Sequence, residues 1–259
     1  MGNPESIKFD TKGFSCKVEN GLAVLNIKGN AFRGISSINR NNDIIPWLDE
    51  VDNYSEVRGL LILNEKESMS EKAYVDFLKE IAGDNFNAEN PKNTPKFIKE
   101  DIRAREITIL GNIINALLGF NKIIISGIRG NIVSPFFGLN LIADFRFTEA
   151  NTNFILSHIK YRLHPSGGLP YFLPLYLSHS KVIELLFRGG SIPAEELKDL
   201  GLISGFYDES EFIERVRAEA VEICKVSRNV VMSTKKLLYR NKKDFQDYLD
   251  LEQKYFIKE

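Results

Sequence analysis

Ile128-Arg-Gly-Asn-Ile-Val-Ser-Pro-Phe-Phe-Gly-Leu-Asn-Leu-Ile-Ala-Asp144 is the stretch on which the reading of the fold turns. Immediately before it, Lys122-Ile-Ile-Ile-Ser-Gly is a β-branched run ended by glycine, the pattern of a buried strand. Before that run, Ile107, Leu110, Ile114 and Leu117-Leu118 recur at helical spacing. Asn112, Asn115, Gly119, Asn121 and Lys122 interrupt the apolar residues, so the segment reads as helix then strand. A membrane span would need about 18 consecutive apolar residues. Strands and helices alternate through the first two hundred residues, and Leu60-Leu-Ile-Leu63 and Ile123-Ile-Ile125 are continuous apolar runs. A parallel sheet covered on both faces accounts for that continuity.

A chain of 259 residues is long enough for one substantial α/β core. Its 34 Lys and Arg against 35 Asp and Glu leave a formal net charge of −1, with no field to collect nucleic acid or an anionic membrane. Cys16 and Cys224 are isolated and lack the spacing of a zinc site or disulfide framework. Met1-Gly-Asn-Pro-Glu-Ser-Ile-Lys-Phe-Asp10 has no basic region followed by an apolar run, so the expected compartment is the cytoplasm. No His/Cys/Asp/Glu cluster has metal-ligand spacing, no phosphate-cradling Gly-Lys loop is present, and there is no Gly-x-Ser-x-Gly elbow of an α/β hydrolase. Between Gly83 and Glu100 the chain is dense in Asn and Pro, which predicts a mobile loop: either a cover over a pocket or a plain surface loop.

The opening stretch resembles the signature of the crotonase (enoyl-CoA hydratase/isomerase) superfamily. There a glycine ends a strand, a Gly-rich turn leads into a helix, and an aspartate follows at the spacing of Gly130 and Asp144. The likeness runs through Asn153-Phe154 and Tyr161-Arg-Leu-His-Pro-Ser-Gly-Gly-Leu-Pro-Tyr-Phe-Leu-Pro174 to Val182–Ile203. Gly21-Leu-Ala-Val-Leu-Asn-Ile27 and Val57-Arg-Gly-Leu-Leu-Ile-Leu63 resemble the family's first core strands, and Val230–Tyr239 and Tyr248–Phe256 its late helices. The resemblance implies a ββα spiral over residues 1–200 and a helical, trimer-forming region over 201–259. Many members continue into a further helix that closes the acyl pocket, so a more open or differently covered site is expected here.

Family catalysis implies a thioester whose carbonyl oxygen is held by two backbone N–H groups, because such donors stabilise the charge that develops in the transition state. Carried over residue by residue, one donor falls in Asn64-Glu-Lys-Glu-Ser-Met-Ser-Glu-Lys-Ala-Tyr74, at Ala73 if the loop is one residue shorter. The other falls at Pro135, which has no N–H. Either the hole is incomplete, or Phe136 donates after a local change of register, or another group binds the oxygen. The two catalytic glutamates of a family hydratase map to Gly138 and His158. Hydration relies on paired carboxylates to activate water, so their joint replacement argues against that reaction.

His158 is the remaining titratable group at the expected site, either as a proton carrier or as filler for the lost glutamate. Ser157 beside it is not its partner, because neighbours on an extended segment point apart. Phe136-Phe137 either narrow the acyl pocket or fill it. His164 is expected to face solvent and His179 to lie on the surface. Asp144 is expected to be structural, and Asp144-Phe-Arg146 to be an ion pair or a turn. Lys28, in Asn26-Ile-Lys-Gly-Asn-Ala-Phe32, is the candidate contact to a coenzyme A phosphate, with Gly138 placed at the ligand.

The resemblance implies a coenzyme A thioester as substrate or ligand, no covalent cofactor, no metal and a homotrimer or dimer of trimers. Two functions remain open: an acyl-CoA enzyme of fatty-acid metabolism (lyase, isomerase or hydrolase) with non-hydratase chemistry, or a catalytically lapsed acyl-CoA-binding or scaffold subunit.

Overall fold

A computed structural model describes residues 7–36, 44–89, 96–238 and 242–258. Residues 1–6 of the N-terminal segment and 90–95 of the Asn- and Pro-rich segment lie outside the described residues. The first strands are β1 (Phe9–Asp10), β2 (Phe14–Glu19) and β3 (Leu22–Ile27), followed by α1 (Ala31–Ser36) and α2 (Ile44–Asn53). Next come β4 (Gly59–Asn64), α3 (Glu71–Ala82), α4 (Glu100–Gly119), β5 (Ile123–Ile128), β6 (Ile132–Val133) and α5 (Ser134–Leu141). Then follow β7 (Phe145–Glu149), β8 (Asn153–Leu156), α6 (Leu169–Phe172), α7 (His179–Arg188), β9 (Gly190–Pro193) and α8 (Ala194–Asp199). The described chain closes with β10 (Gly205–Tyr207), α9 (Phe212–Ile223), α10 (Arg228–Leu238) and α11 (Lys242–Lys258).

Among the described residues seven strands form one sheet in the order β1-β2-β3-β4-β5-β7-β10. β1, β2 and β3 pair antiparallel, and β3 through β10 pair parallel. The continuous apolar runs behave as their pattern predicts, because both faces of the sheet are covered. Leu60 and Ile62 with Ile124 and Ile128 enter a large core, whereas Leu61 and Leu63 with Ile123 and Ile125 enter a second. α9 covers the second face with Phe212, Val216 and Ala220, and β10 carries the sheet past residue 200. On the first face α4 packs against α1, α2 and α11. A smaller sheet, β6-β8-β9, stands beside the large one. Its parallel register, Ile132 opposite Phe154 and Val133 opposite Ile155, brings the start of α5 next to the turn after β8.

Candidate functional site

Ligands of parallel α/β sheets bind beyond the carboxyl ends of the strands, because backbone N–H groups and loops gather there. Here those ends are Ile27, Asn64, Ile128 and Glu149. Buried Asn64 ties two of the loops together: its Nδ2 donates to Glu65 O and Arg129 O at 2.8 and 2.9 Å, and its Oδ1 accepts from Arg129 N at 3.0 Å. Fully buried Glu149 accepts from Arg129 Nε at 3.0 Å and Gly130 N at 3.2 Å. A cleft of about 250 Å³ opens at this end, with Gly29, Asn30, Ser70, Lys72 and Ala73 in its wall.

Ser70 caps α3, its hydroxyl accepting from Ala73 N at 3.2 Å, while Asn30 Nδ2 donates to Ala73 O at 2.9 Å. The Ala73 N–H therefore borders the cleft with Ser70 as its acceptor. α5 starts without a side-chain cap, and Pro135 occupies its first turn, where an N–H would have no intrahelical partner anyway. Phe136 is the third residue of this helix, ahead of the point where the intrahelical ladder can satisfy its N–H. Its ring lies against Phe32, with centroids 4.9 Å apart, and the Phe137 ring lies against Phe154 at 4.5 Å. Phe32 meets Tyr74 at 4.8 Å, and Tyr74 meets Tyr161 at 6.0 Å. Phe136 and Phe137 are thus core residues, and the rings fill the interior between α1, α3 and α5.

Gly138 is fixed by close approach. A Cβ there would lie 2.1 Å from Gly167 O, and a Cβ on Gly167 would lie 2.1 Å from Pro135 O. No side chain fits at position 138 without moving backbone. Gly167 and Gly168 adopt φ of +71° and +73°, where L side chains are strained, and their N–H groups donate to Glu252 of α11 at 3.0 and 3.2 Å. Tyr248 also donates to Glu252. Burial raises the Glu252 carboxyl above its ordinary range, against the opposing effect of these donors. Glu252 is the residue that sequence reasoning missed. Its signal, a carboxylate on the apolar face beside Phe245 and Leu249, gives no indication of the Gly-Gly turn it meets.

His158 is 1% exposed. Its Nε2 lies 2.8 Å from Leu186 O and its Nδ1 3.0 Å from Ser134 Oγ. Burial pushes its pKa below the ordinary imidazole value, with His164 adding to the effect and the Leu186 carbonyl opposing it. The segment after Leu156 is a turn, not the extended strand expected, and the partner of His158 is Ser134. Ser134, too, was not legible: it stands 24 residues away and meets His158 through the β6–β8 register.

The other candidates lie apart. Lys28 forms an exposed ion pair with Asp10 beside the cleft residue Gly29. Half-buried His164 lies 3.2 Å from Pro165 O, and His179 is exposed. Asp144 accepts from Ile124 N at 2.7 Å and Lys235 Nζ at 2.9 Å. Arg146 donates to the carbonyls of Leu202, Leu141 and Ala143. Among the described residues no group of three His, Cys, Asp or Glu could hold a metal ion, and no helix is long and apolar enough to cross a membrane.

Comparison with known proteins bears on the family and the fold. In sequence, a probable enoyl-CoA hydratase of Bacillus subtilis (strain 168) is 32% identical over 139 residues, covering 53% of this chain and 54% of that protein. Enoyl-CoA delta isomerase 3, peroxisomal, of Mus musculus is 24% identical over 144 residues, covering 56% of this chain and 45% of that protein. The chain thus spans about half the length of the curated relatives it matches. In structure, an enoyl-CoA hydratase from Bacillus halodurans superposes with a TM-score of 0.76 at 15% identity, covering 95% of this chain and 94% of that one, which shows the crotonase-type α/β fold. The sequence profile described as enoyl-CoA hydratase/isomerase matches residues 106–258, and the chain belongs to that family.

Proposed function

We propose that the chain binds a coenzyme A thioester and acts on it by chemistry other than addition of water to an enoyl double bond. One observation carries this reading: of the two positions expected to hold a hydratase's glutamates, 138 is a glycine closed off by Gly167 O and 158 is a buried histidine. Paired carboxylates are what hydration uses to activate water. The thioester oxygen would take the Ala73 N–H over from the Ser70 hydroxyl and accept a second bond from the Phe136 N–H, where α5 presents its amino end. Gly138 would keep the backbone close to the ligand, and Lys28 would meet a coenzyme A phosphate once it leaves Asp10. Residues 1–200 would supply the site and 201–259 the contacts of a trimer or dimer of trimers. The exposure of Val230, Leu237 and Leu238 on α10 is consistent with that role.

A second reading, a lapsed subunit that keeps the fold as a scaffold, is favoured by the ring cluster of Phe32, Tyr74, Phe136 and Tyr161. Calorimetric titration with coenzyme A, acetyl-CoA and crotonyl-CoA separates the two, with crotonyl-CoA turnover followed by its enoyl ultraviolet absorbance. Binding without hydration is expected. Hydration at an ordinary enzyme rate would defeat the proposal, and no binding to any of the three would leave the scaffold.

A further inference from the structure

Resting on the acyl-CoA reading, we infer that Ser134 and His158 form a nucleophile–base pair that moves the acyl group of the thioester first to Ser134 and then to water. The partners favour one assignment of protons, although the Ser134 hydroxyl also has Ile155 O within 3.4 Å. A carbonyl oxygen only accepts, so Leu186 O at 2.8 Å requires the ring proton on Nε2. The lone pair of Nδ1 then faces the Ser134 hydroxyl at 3.0 Å. Nucleophile, base and a third group that orients the base are the parts of an activated serine, here with a backbone carbonyl in the orienting place.

Position supports the same role. Ser134 is the first residue of α5, so the nucleophile stands two residues before the Phe136 N–H, a donor suited to the oxyanion formed on attack. Val133 N donates to Met69 O at 3.1 Å, which holds this end of α5 against the loop leading to Ser70 and Ala73 at the cleft. The pair itself is closed off: Ser134 is 2% exposed. Neither Ser134 nor His158 lines the cleft, so the pair requires the buried Phe136 ring, packed on Phe32, to move when an acyl group enters.

Ser134 Oγ attacks the thioester carbon while its proton passes to His158 Nδ1, and the carbonyl electrons move to oxygen. Collapse breaks the C–S bond, and the departing thiolate takes the proton from His158, leaving free coenzyme A and an ester on Ser134. Water then attacks that ester as His158 takes its proton. The Ser134 oxygen leaves with the proton returned by His158, releasing a carboxylic acid. The sum is thioester plus water to acid plus thiol, with no redox partner.

The test uses the full chain with acetyl-CoA, butyryl-CoA and benzoyl-CoA, binding being read by calorimetry and thiol release with a thiol-reactive dye. Thiol release is expected from the native protein and a fall of about 100-fold or more in Ser134→Ala and His158→Gln. Ser157→Ala, next to the base but outside the pair, should release thiol at the native rate. Near-ultraviolet circular dichroism checks that the variants fold. Ser134→Cys keeps a nucleophile in place and should carry the acyl group as a mass increment mapped to position 134. Binding without thiol release, or release unchanged in Ser134→Ala, would overturn the pair and leave the acyl-CoA reading standing. Failure to bind all three thioesters would remove both.

Discussion

At the amino end of β5, Lys122 donates to Val51 O and Tyr54 O at 2.5 and 2.6 Å, Asp52 accepts from Asn121, and Asp144 accepts from Ile124 N and Lys235. Beyond its carboxyl end, Ser134 and His158 bond each other, and His158 reaches a single carbonyl. Lys122 is buried among half-buried polar side chains, Ser134 and His158 are both buried, and each set answers the requirement that buried polar atoms find partners. The first is a set of pins: charged side chains close the ends of α2 and the strands, and their protons have one place to be. The second shares a proton between two side chains of unlike basicity. Burial of Lys122 and of His158 therefore separates a structural role from a chemical one only when the partners are named.

The largest effect expected from breaking this comparison comes at the carboxyl end. In Gly138→Ala the new methyl would meet Gly167 O and, at 2.7 Å, Leu169 N, both backbone atoms that cannot swing aside. Chemical denaturation should show a loss of more than about 4 kcal/mol, the range reserved for overpacking against a rigid neighbour. For the same reason Gly138→Glu should fail to restore hydration. A well-folded alanine variant would show that the Gly138–Gly167 contact is slack and reopen position 138 to a side chain.

At the amino end, Lys122→Ala removes a buried stem and leaves the carbonyls of Val51 and Tyr54 without their donor, for an expected loss of about 2–4 kcal/mol. Acyl-CoA binding should be unchanged, since the pins stand at the far end of the sheet. Burial, with Arg228 adding repulsion, lowers the Lys122 ammonium to about 8. Between that value and the ordinary 10.5 the unfolded chain binds more proton than the folded one, so this group makes stability rise with pH across the window. Urea midpoints taken through that range should rise in the native protein and lose this component in Lys122→Met.

How much of this was legible in the sequence divides along the same line. The β-branched runs at Ile123 and Leu60, the glycines and the order of elements reported the sheet and its two covered faces, because periodicity and burial are local properties. Asp144 was readable as structural from its place in the motif. Ser134 and Glu252 were not, because the contacts that define them cross 24 and about 85 residues of chain. They arise from strand register and helix docking, which no local pattern encodes. Phe136 and Phe137 stood in the sequence as two alternatives, and their burial is a tertiary fact.

A smaller effect follows from His158, whose folded pKa lies below the ordinary 6.5. The unfolded chain takes up the proton first as acid is added, so stability from this group is present above pH 6.5 and declines from there down to the folded pKa. His158→Gln should flatten that limb of the melting-temperature profile while leaving the alkaline limb set by Lys122 in place. An unchanged acid limb would mean that burial does not lower the His158 pKa below its ordinary value in the fold.

The smallest stability effect belongs to Lys28, and it contrasts most directly with Lys122. Its ammonium stands in an exposed pair with Asp10, and such pairs contribute between about 0 and 1 kcal/mol. Lys28→Ala should therefore shift the denaturation midpoint by no more than about 0.5 kcal/mol. Its consequence for a ligand is larger than its consequence for the fold: Lys28 follows β3 directly and adjoins Gly29 in the cleft wall, where a phosphate can replace Asp10 as its partner. Affinity for coenzyme A should fall by about 3- to 10-fold at low salt and less at high salt, since screening weakens exposed charge pairs. Affinity for pantetheine, which has no phosphate, should not change. An equal loss for both ligands would show that Lys28 shapes the loop and does not touch the phosphate, leaving the cleft without the cation that the coenzyme A reading assigns to it.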